Sequence, residues 1–154
     1  MGVTMSFTRV SAADLERLTA ETEWPDDFLA DLETPDSEPS GYLDKAWAGL
    51  KFLLEQAETG VDLFFTGRPL GSENHFAWSP DDVSHTAGIL RDTPFDKLAA
   101  HYDPARMDEA DVYPRIWVRD GEDGCNYLGY HYAGLVRVFQ YAAQRRSGFV
   151  QYFG

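Results

Sequence analysis

The chain lacks several features on which small proteins often depend. Its 154 residues include a single cysteine, Cys125. That excludes a disulfide framework and a thiolate-rich metal cluster, and it makes the cytoplasm the default compartment. No apolar run approaches the ~18–20 residues needed to cross a bilayer. The opening MGVTMSFTRV has no charged region followed by a long apolar stretch, so it does not read as a signal peptide. Gly2 with Ser6 fits a lipidation pattern only loosely, and the segment reads better as strand. Cations are scarce as well: 13 Lys and Arg stand against 26 Asp and Glu, a net charge of −13. Such a chain repels phosphate backbones, so nucleic acid is not an expected partner.

Catalytic signatures are equally thin. The four histidines, His75, His85, His101 and His131, show no H-x-H, H-x-x-x-H or H-E-x-x-H spacing. No G-x-S-x-G, G-x-x-x-x-G-K-[ST] or G-x-G-x-x-G occurs, and the glycines of TGRPLG do not form a phosphate loop. No catalytic residue, metal ligand or cofactor site is therefore assigned.

What is present fits one domain over residues 1–154. Hydrophobic residues make up 44% and aromatics 14%, which supports a packed globule over a disordered chain. The charge is uneven. Between Arg17 and Lys45 lie Glu21, Glu23, Asp26, Asp27, Asp31, Glu33, Asp36, Glu38 and Asp44 with no Lys or Arg, whereas from residue 105 onward acids and arginines balance. The stretch is either a solvated acidic face that maintains solubility or a docking face for a basic protein partner, with Asp26, Asp27, Asp31 and Glu33 at its centre.

The order of elements alternates. VTMSFTRV (3–10) reads as a strand, and Ser11-Ala-Ala-Asp14 starts a helix over 11–20 with a capping-box pattern. Trp24-Pro25-Asp26-Asp27 reads as a second helix start, with Phe28, Leu29 and Leu32 as its apolar face. ETPDSEPS (33–40) is a loop and the expected mobile segment. Residues 42–57 carry an apolar stripe of Leu43, Ala46, Trp47, Leu50, Leu53, Leu54 and Ala57, which predicts a helix with Trp47 in the core. VDLFFTG (61–67) is too short to separate strand from helix end. His75–Trp78 reads as a strand, and Ser79-Pro80, Thr93-Pro94 and Asp103-Pro104 each read as a helix start. A loop over 111–125, a helix over about 126–146 and a closing strand GFVQYFG complete the chain.

Residues 111–132, DVYPRIWVRDGEDGCNYLGYHY, concentrate acids, aromatics, Cys125 and His131. An EF-hand counted from Asp120 fails, because Gly124 falls at position 5, Cys125 at position 6 and His131 at position 12. The two Asp-Gly pairs, Asp120-Gly121 and Asp123-Gly124, read as a turn. Cys125 near a helix start would favour a thiolate, yet no cysteine-enzyme signature surrounds it. Tyr113, Trp117, Tyr127, Tyr130 and His131 form a candidate binding surface, since these aromatics cannot all face one core.

Four segments together resemble the YfbM-like family of uncharacterised bacterial proteins, a domain of unknown function. They are the N-terminal strand leading into Ser11; Leu43-Asp44-Lys45-Ala46-Trp47 with Gly49-Leu50 and Phe52-Leu53-Leu54; Ser79-Pro80-Asp81-Asp82-Val83; and Asp103-Pro104 with Met107 running into Val112-Tyr113-Pro114 and Ile116-Trp117. The resemblance implies an α/β fold, a compact three-layer α/β sandwich with a small mixed sheet and packed helices. It implies no activity. Where its relatives carry histidines after the LDKAW segment, this chain has Ala48 and Lys51, so no catalytic role carries over. The expectation is a small acidic interaction module, immunity- or antitoxin-like, with a basic partner. The alternative is a small-ligand binder or enzyme with a cleft near Tyr113–His131, and a monomer or small homo-oligomer fits either.

Overall fold

The computed structural model describes residues 2–20, 32–71 and 73–154. The expected helix start at Trp24–Asp27, the apolar Phe28 and Leu29, and the acids Asp26, Asp27 and Asp31 lie outside the described residues. The elements are β1 (Met5–Val10), α1 (Ala12–Ala20), β2 (Gly41–Tyr42), α2 (Trp47–Gln56), β3 (Arg68–Pro69), β4 (His75–Trp78), α3 (Pro80–Arg91), α4 (Phe95–Ala99), α5 (Pro104–Glu109), α6 (Trp117–Asp120), α7 (Glu122–Gln144) and β5 (Gly148–Phe153).

Among the described residues five strands form one sheet in the order β2-β1-β5-β4-β3. The α/β class holds, but every strand pair is antiparallel, so the expected mixed sheet is corrected. The first and last strands pair at its centre, Met5 opposite Phe153 and Val10 opposite Gly148.

The alternation of side chains along each strand separates two faces. Met5, Phe7, Trp78 and Phe149 point into the larger cluster, which also takes Leu50, Leu53 and Leu54 of α2, Val83 and Leu90 of α3, and Leu128, Leu135 and Phe139 of α7. There Phe7 meets Trp78 edge-on at 5.4 Å and Phe139 at 5.3 Å. Val10, Ala77 and Val150 point the other way, under Leu15 and Leu18 of α1. Helices therefore cover both faces, as a three-layer sandwich requires.

Local chemistry explains most boundaries. The Ser11 hydroxyl accepts from the Asp14 N–H at 3.1 Å, Ser79 caps α3 through the Asp82 N–H, and Asp103 caps α5 through the Arg106 N–H. Each satisfies a first-turn donor that has no helical partner. Thr93 is no cap: Pro94 takes that position in α4.

Three expectations are corrected. The helix read over 42–57 begins only at Trp47, because Asp44 adopts φ 51° and the backbone there is held by the sheet: Leu43 N–H donates to Met5 O and Met5 N–H to Asp44 O. The segment 61–67 is neither strand nor helix end. Asp62 Oδ1 accepts from the N–H groups of Phe64 at 2.8 Å and Phe65 at 3.0 Å, which curls it into a turn. The predicted loop over 111–125 contains α6 and the start of α7, broken only at Gly121 with φ 55°. Glu122 and Asp123, read as turn residues, occupy the first turn of α7, where negative charge suits the helix dipole.

Helices α2 and α7 approach closely at Gly49. A Cβ there would lie 2.7 Å from Leu128 Cδ2 and 2.8 Å from Trp117 Cη2. This contact fixes the position of α2 and of the residues on its outer side.

Candidate functional site

The outer side of α2 carries Trp47, Lys51 and Glu55 at four-residue spacing, turned away from buried Leu50 and Leu53. Together with two neighbouring loops, this stripe encloses an open groove of about 620 Å³. The 61–67 turn supplies Phe64 and Phe65. It is anchored by buried Leu63, whose carbonyl accepts from Gln151 Nε2 at 2.6 Å. The end of α5 and the loop after it supply Arg106, Asp111, Val112 and Tyr113.

That second loop is held from below. The Asp108 carboxylate accepts from the N–H groups of Trp117 at 3.2 Å and Val118 at 3.1 Å, capping α6. Trp117 Nε1–H donates to the Val112 carbonyl at 2.8 Å. Tyr113, preceding the cis Tyr113–Pro114 bond, lies stacked on Trp47 with centroids 5.7 Å apart. Its hydroxyl accepts from the Val3 N–H at 2.8 Å, and Trp47 Nε1–H donates to the Val3 carbonyl at 2.9 Å. The N-terminal segment thus locks both rings.

The groove wall is aromatic. Phe64 lies 6.1 Å from Trp47 and 5.0 Å from Phe65. Phe65 is 77% exposed. The Arg106 guanidinium sits 5.9 Å from the centre of the Phe52 ring. Two carboxylates at the rim are engaged: Glu55 with Lys51 at 2.6 Å and Asp111 with Arg115 at 3.3 Å.

The candidate surface read from sequence does not form one cleft. Tyr113 lies on the groove. Trp117 is fully buried, with its only polar atom occupied, so it is a core residue. Tyr127, Tyr130 and His131 lie on α7 at its junction with β2. Tyr127 donates to Asp44 Oδ2 at 2.8 Å and accepts from the Lys45 N–H, while Tyr42 donates to Asp44 Oδ1 at 3.3 Å. Burial, then the bond to Asp44, raises the Tyr127 phenol well above its ordinary value. Burial lowers His131, against Asp44 and a backbone bond to Tyr42 that raise it. A phenol locked in its protonated form is no general base near neutral pH, and this cluster fastens β2 to α7. Tyr130 is 72% exposed, with its ring 5.2 Å from that of His131.

Cys125 is half-buried in α7. Burial and then Glu122 raise its thiol above the ordinary value, so the favourable helix-start effect expected from sequence is outweighed. Among the described residues, no group of three His, Cys, Asp or Glu is placed to hold a metal ion, and no helix is long and apolar enough to cross a membrane. Of the acidic stretch, Glu33 and Asp36 are exposed, whereas Glu38 is paired with Arg9. That pairing holds part of the 33–40 loop, read from sequence as the mobile segment, against β1.

Sequence reasoning missed Lys51, Phe52, Phe64, Phe65 and Arg106, and it placed Trp47 in the core. Trp47 is half-buried and faces the groove. The available signal was the polar stripe of Lys51 and Glu55 in line with Trp47, which marks an outer helix face.

A family model described as a domain of unknown function (DUF1877) matches residues 1–152. The crystal structure of YfbM from Escherichia coli, a protein of unknown function, superposes with a TM-score of 0.74 at 12% sequence identity, covering 98% of this chain and 99% of that one. At that identity the likeness establishes the fold. No curated protein matches the chain.

Proposed function

The chain belongs to the family described as a domain of unknown function (DUF1877), and on that footing we propose that it is a binding module whose working surface is the aromatic groove beside α2. The carrying observation is Phe65, 77% exposed at the edge of a groove of about 620 Å³ that Trp47, Phe64 and Tyr113 also line. Burying a Phe side chain contributes about 1.5–3 kcal/mol, and folding leaves that contribution unclaimed here. Contiguous exposed apolar surface with charged rims marks a site of interaction. The volume falls in the ordinary range of small-molecule pockets, roughly 300–1,000 Å³.

Binding is favoured over catalysis because the two carboxylates of the groove, Glu55 and Asp111, are engaged in ion pairs, and the shifted tyrosines and His131 lie elsewhere. The test uses a neutral apolar probe, N-phenyl-1-naphthylamine, whose emission rises on burial. Saturable binding that Phe65→Ser weakens by about tenfold or more supports the proposal. A probe that does not bind, or that binds Phe65→Ser equally well, refutes it.

A basic protein partner is a second reading, favoured by the net charge of −13 and the exposure of Glu33 and Asp36. Charge of that kind acts on encounter rate. Glu33→Lys with Asp36→Lys is expected to lower the on-rate of a captured basic partner and flatten its salt dependence. Unchanged rates refute this reading.

A further inference from the structure

Among the cations that line the groove, Arg106 differs from Lys51. Lys51 is neutralised by Glu55 at 2.6 Å, and the other carboxylate that lines the groove, Asp111, is taken by Arg115 at 3.3 Å. Among the described residues Arg106 makes no ion pair, and its guanidinium rests over the Phe52 ring at 5.9 Å. In a chain with 26 carboxylates and 13 cations, a guanidinium left without a carboxylate at the wall of an aromatic groove is an open anion site. Its planar fork suits a carboxylate held by two parallel hydrogen bonds.

We infer that the groove takes a planar aromatic carboxylate, with the ring over Trp47 and Phe65 and the carboxylate on Arg106. The inference rests on the binding reading above and names its ligand class. Aromatic rings also attract cations, but a cation here would face both Arg106 and Lys51, and the rim carboxylates already have partners. The distant acidic surface does not reverse the preference, because charges further than about 8 Å are largely screened at physiological ionic strength.

The test compares three probes of one shape by isothermal titration calorimetry: 2-naphthoate, neutral 2-naphthamide and the cationic 2-naphthylmethylammonium. Naphthoate is expected to bind about 10–100-fold tighter than naphthamide, the range of one charge-assisted contact, with the cation weakest. Arg106→Gln, which keeps the Asp103 cap on its backbone N–H, is expected to erase that preference, and Arg106→Lys to restore part of it. Equal binding of naphthoate and naphthamide, a cation preference, or a preference that survives Arg106→Gln overturns the ligand class while the groove reading stands, provided Phe65→Ser still weakens all three. Failure of every probe, or binding indifferent to Phe65→Ser, overturns both.

Discussion

Gln151 is a polar side chain at the centre of the sheet and only 2% exposed. Its Oε1 accepts from Trp78 Nε1–H at 2.8 Å, and its Nε2 donates to the Leu63 carbonyl at 2.6 Å. The residue therefore joins the middle of the sheet to the turn that presents Phe64 and Phe65. Gln151→Leu keeps the volume but leaves the indole N–H and the Leu63 carbonyl without these partners. Each buried orphan costs about 1–3 kcal/mol, so the expected loss is about 2–5 kcal/mol. For a chain of this size that corresponds to a fall of roughly 5–15 °C in Tm. Urea unfolding followed by tryptophan fluorescence measures the loss, and hydrogen exchange at Phe64 and Phe65 reports whether the turn loosens with it. A variant within about 0.5 kcal/mol of the parent, the range of neutral surface changes, would show that this network does not position the turn.

Two glycine substitutions should have opposite signs. Gly88→Ala in α3 meets nothing within 4 Å and should stabilise by about 0.5–1 kcal/mol through helix propensity, while Gly49→Ala should destabilise by about 1–2 kcal/mol because buried Leu128 and Trp117 must shift; equal signs in urea titrations refute the close-approach argument. Burial holds His75 and His131 below their ordinary value of 6.5, so the unfolded chain binds protons first. Their contribution is intact above that value and drains as pH falls through the folded values. His131→Gln should reduce the drop in urea midpoint between pH 7.5 and 5.5, and an unchanged drop contradicts this. Cys125 should react with iodoacetamide at pH 7.5 more slowly than a free cysteine, and Glu122→Gln should speed it; alkylation at the free rate refutes the assignment.

The helix starts at Ser79 and Asp103, strand β4 and both terminal strands were legible because each depends on neighbours in sequence: a hydroxyl or carboxylate reaching an N–H three residues on, or side chains alternating across a pleat. The boundary of α2 was not. Its pattern continued back to Tyr42, but β1 captures the backbone of Leu43 and Asp44, and no local propensity encodes that competition. The antiparallel direction of the sheet was likewise a consequence of how distant strands pair.

The site follows the same division. Sequence determined the composition of 111–132, the acidic balance of the chain, the family resemblance and the absence of local catalytic signatures. Tertiary structure decided that Trp117 is core, that Tyr127 and His131 fasten β2 to α7, and that Tyr113 joins Trp47, Phe64 and Phe65 on a groove assembled from three separate segments. The physical reason is that a side chain's identity is local, whereas its exposure and its partners depend on segments far apart in sequence, 110 residues in the Val3–Tyr113 hydrogen bond.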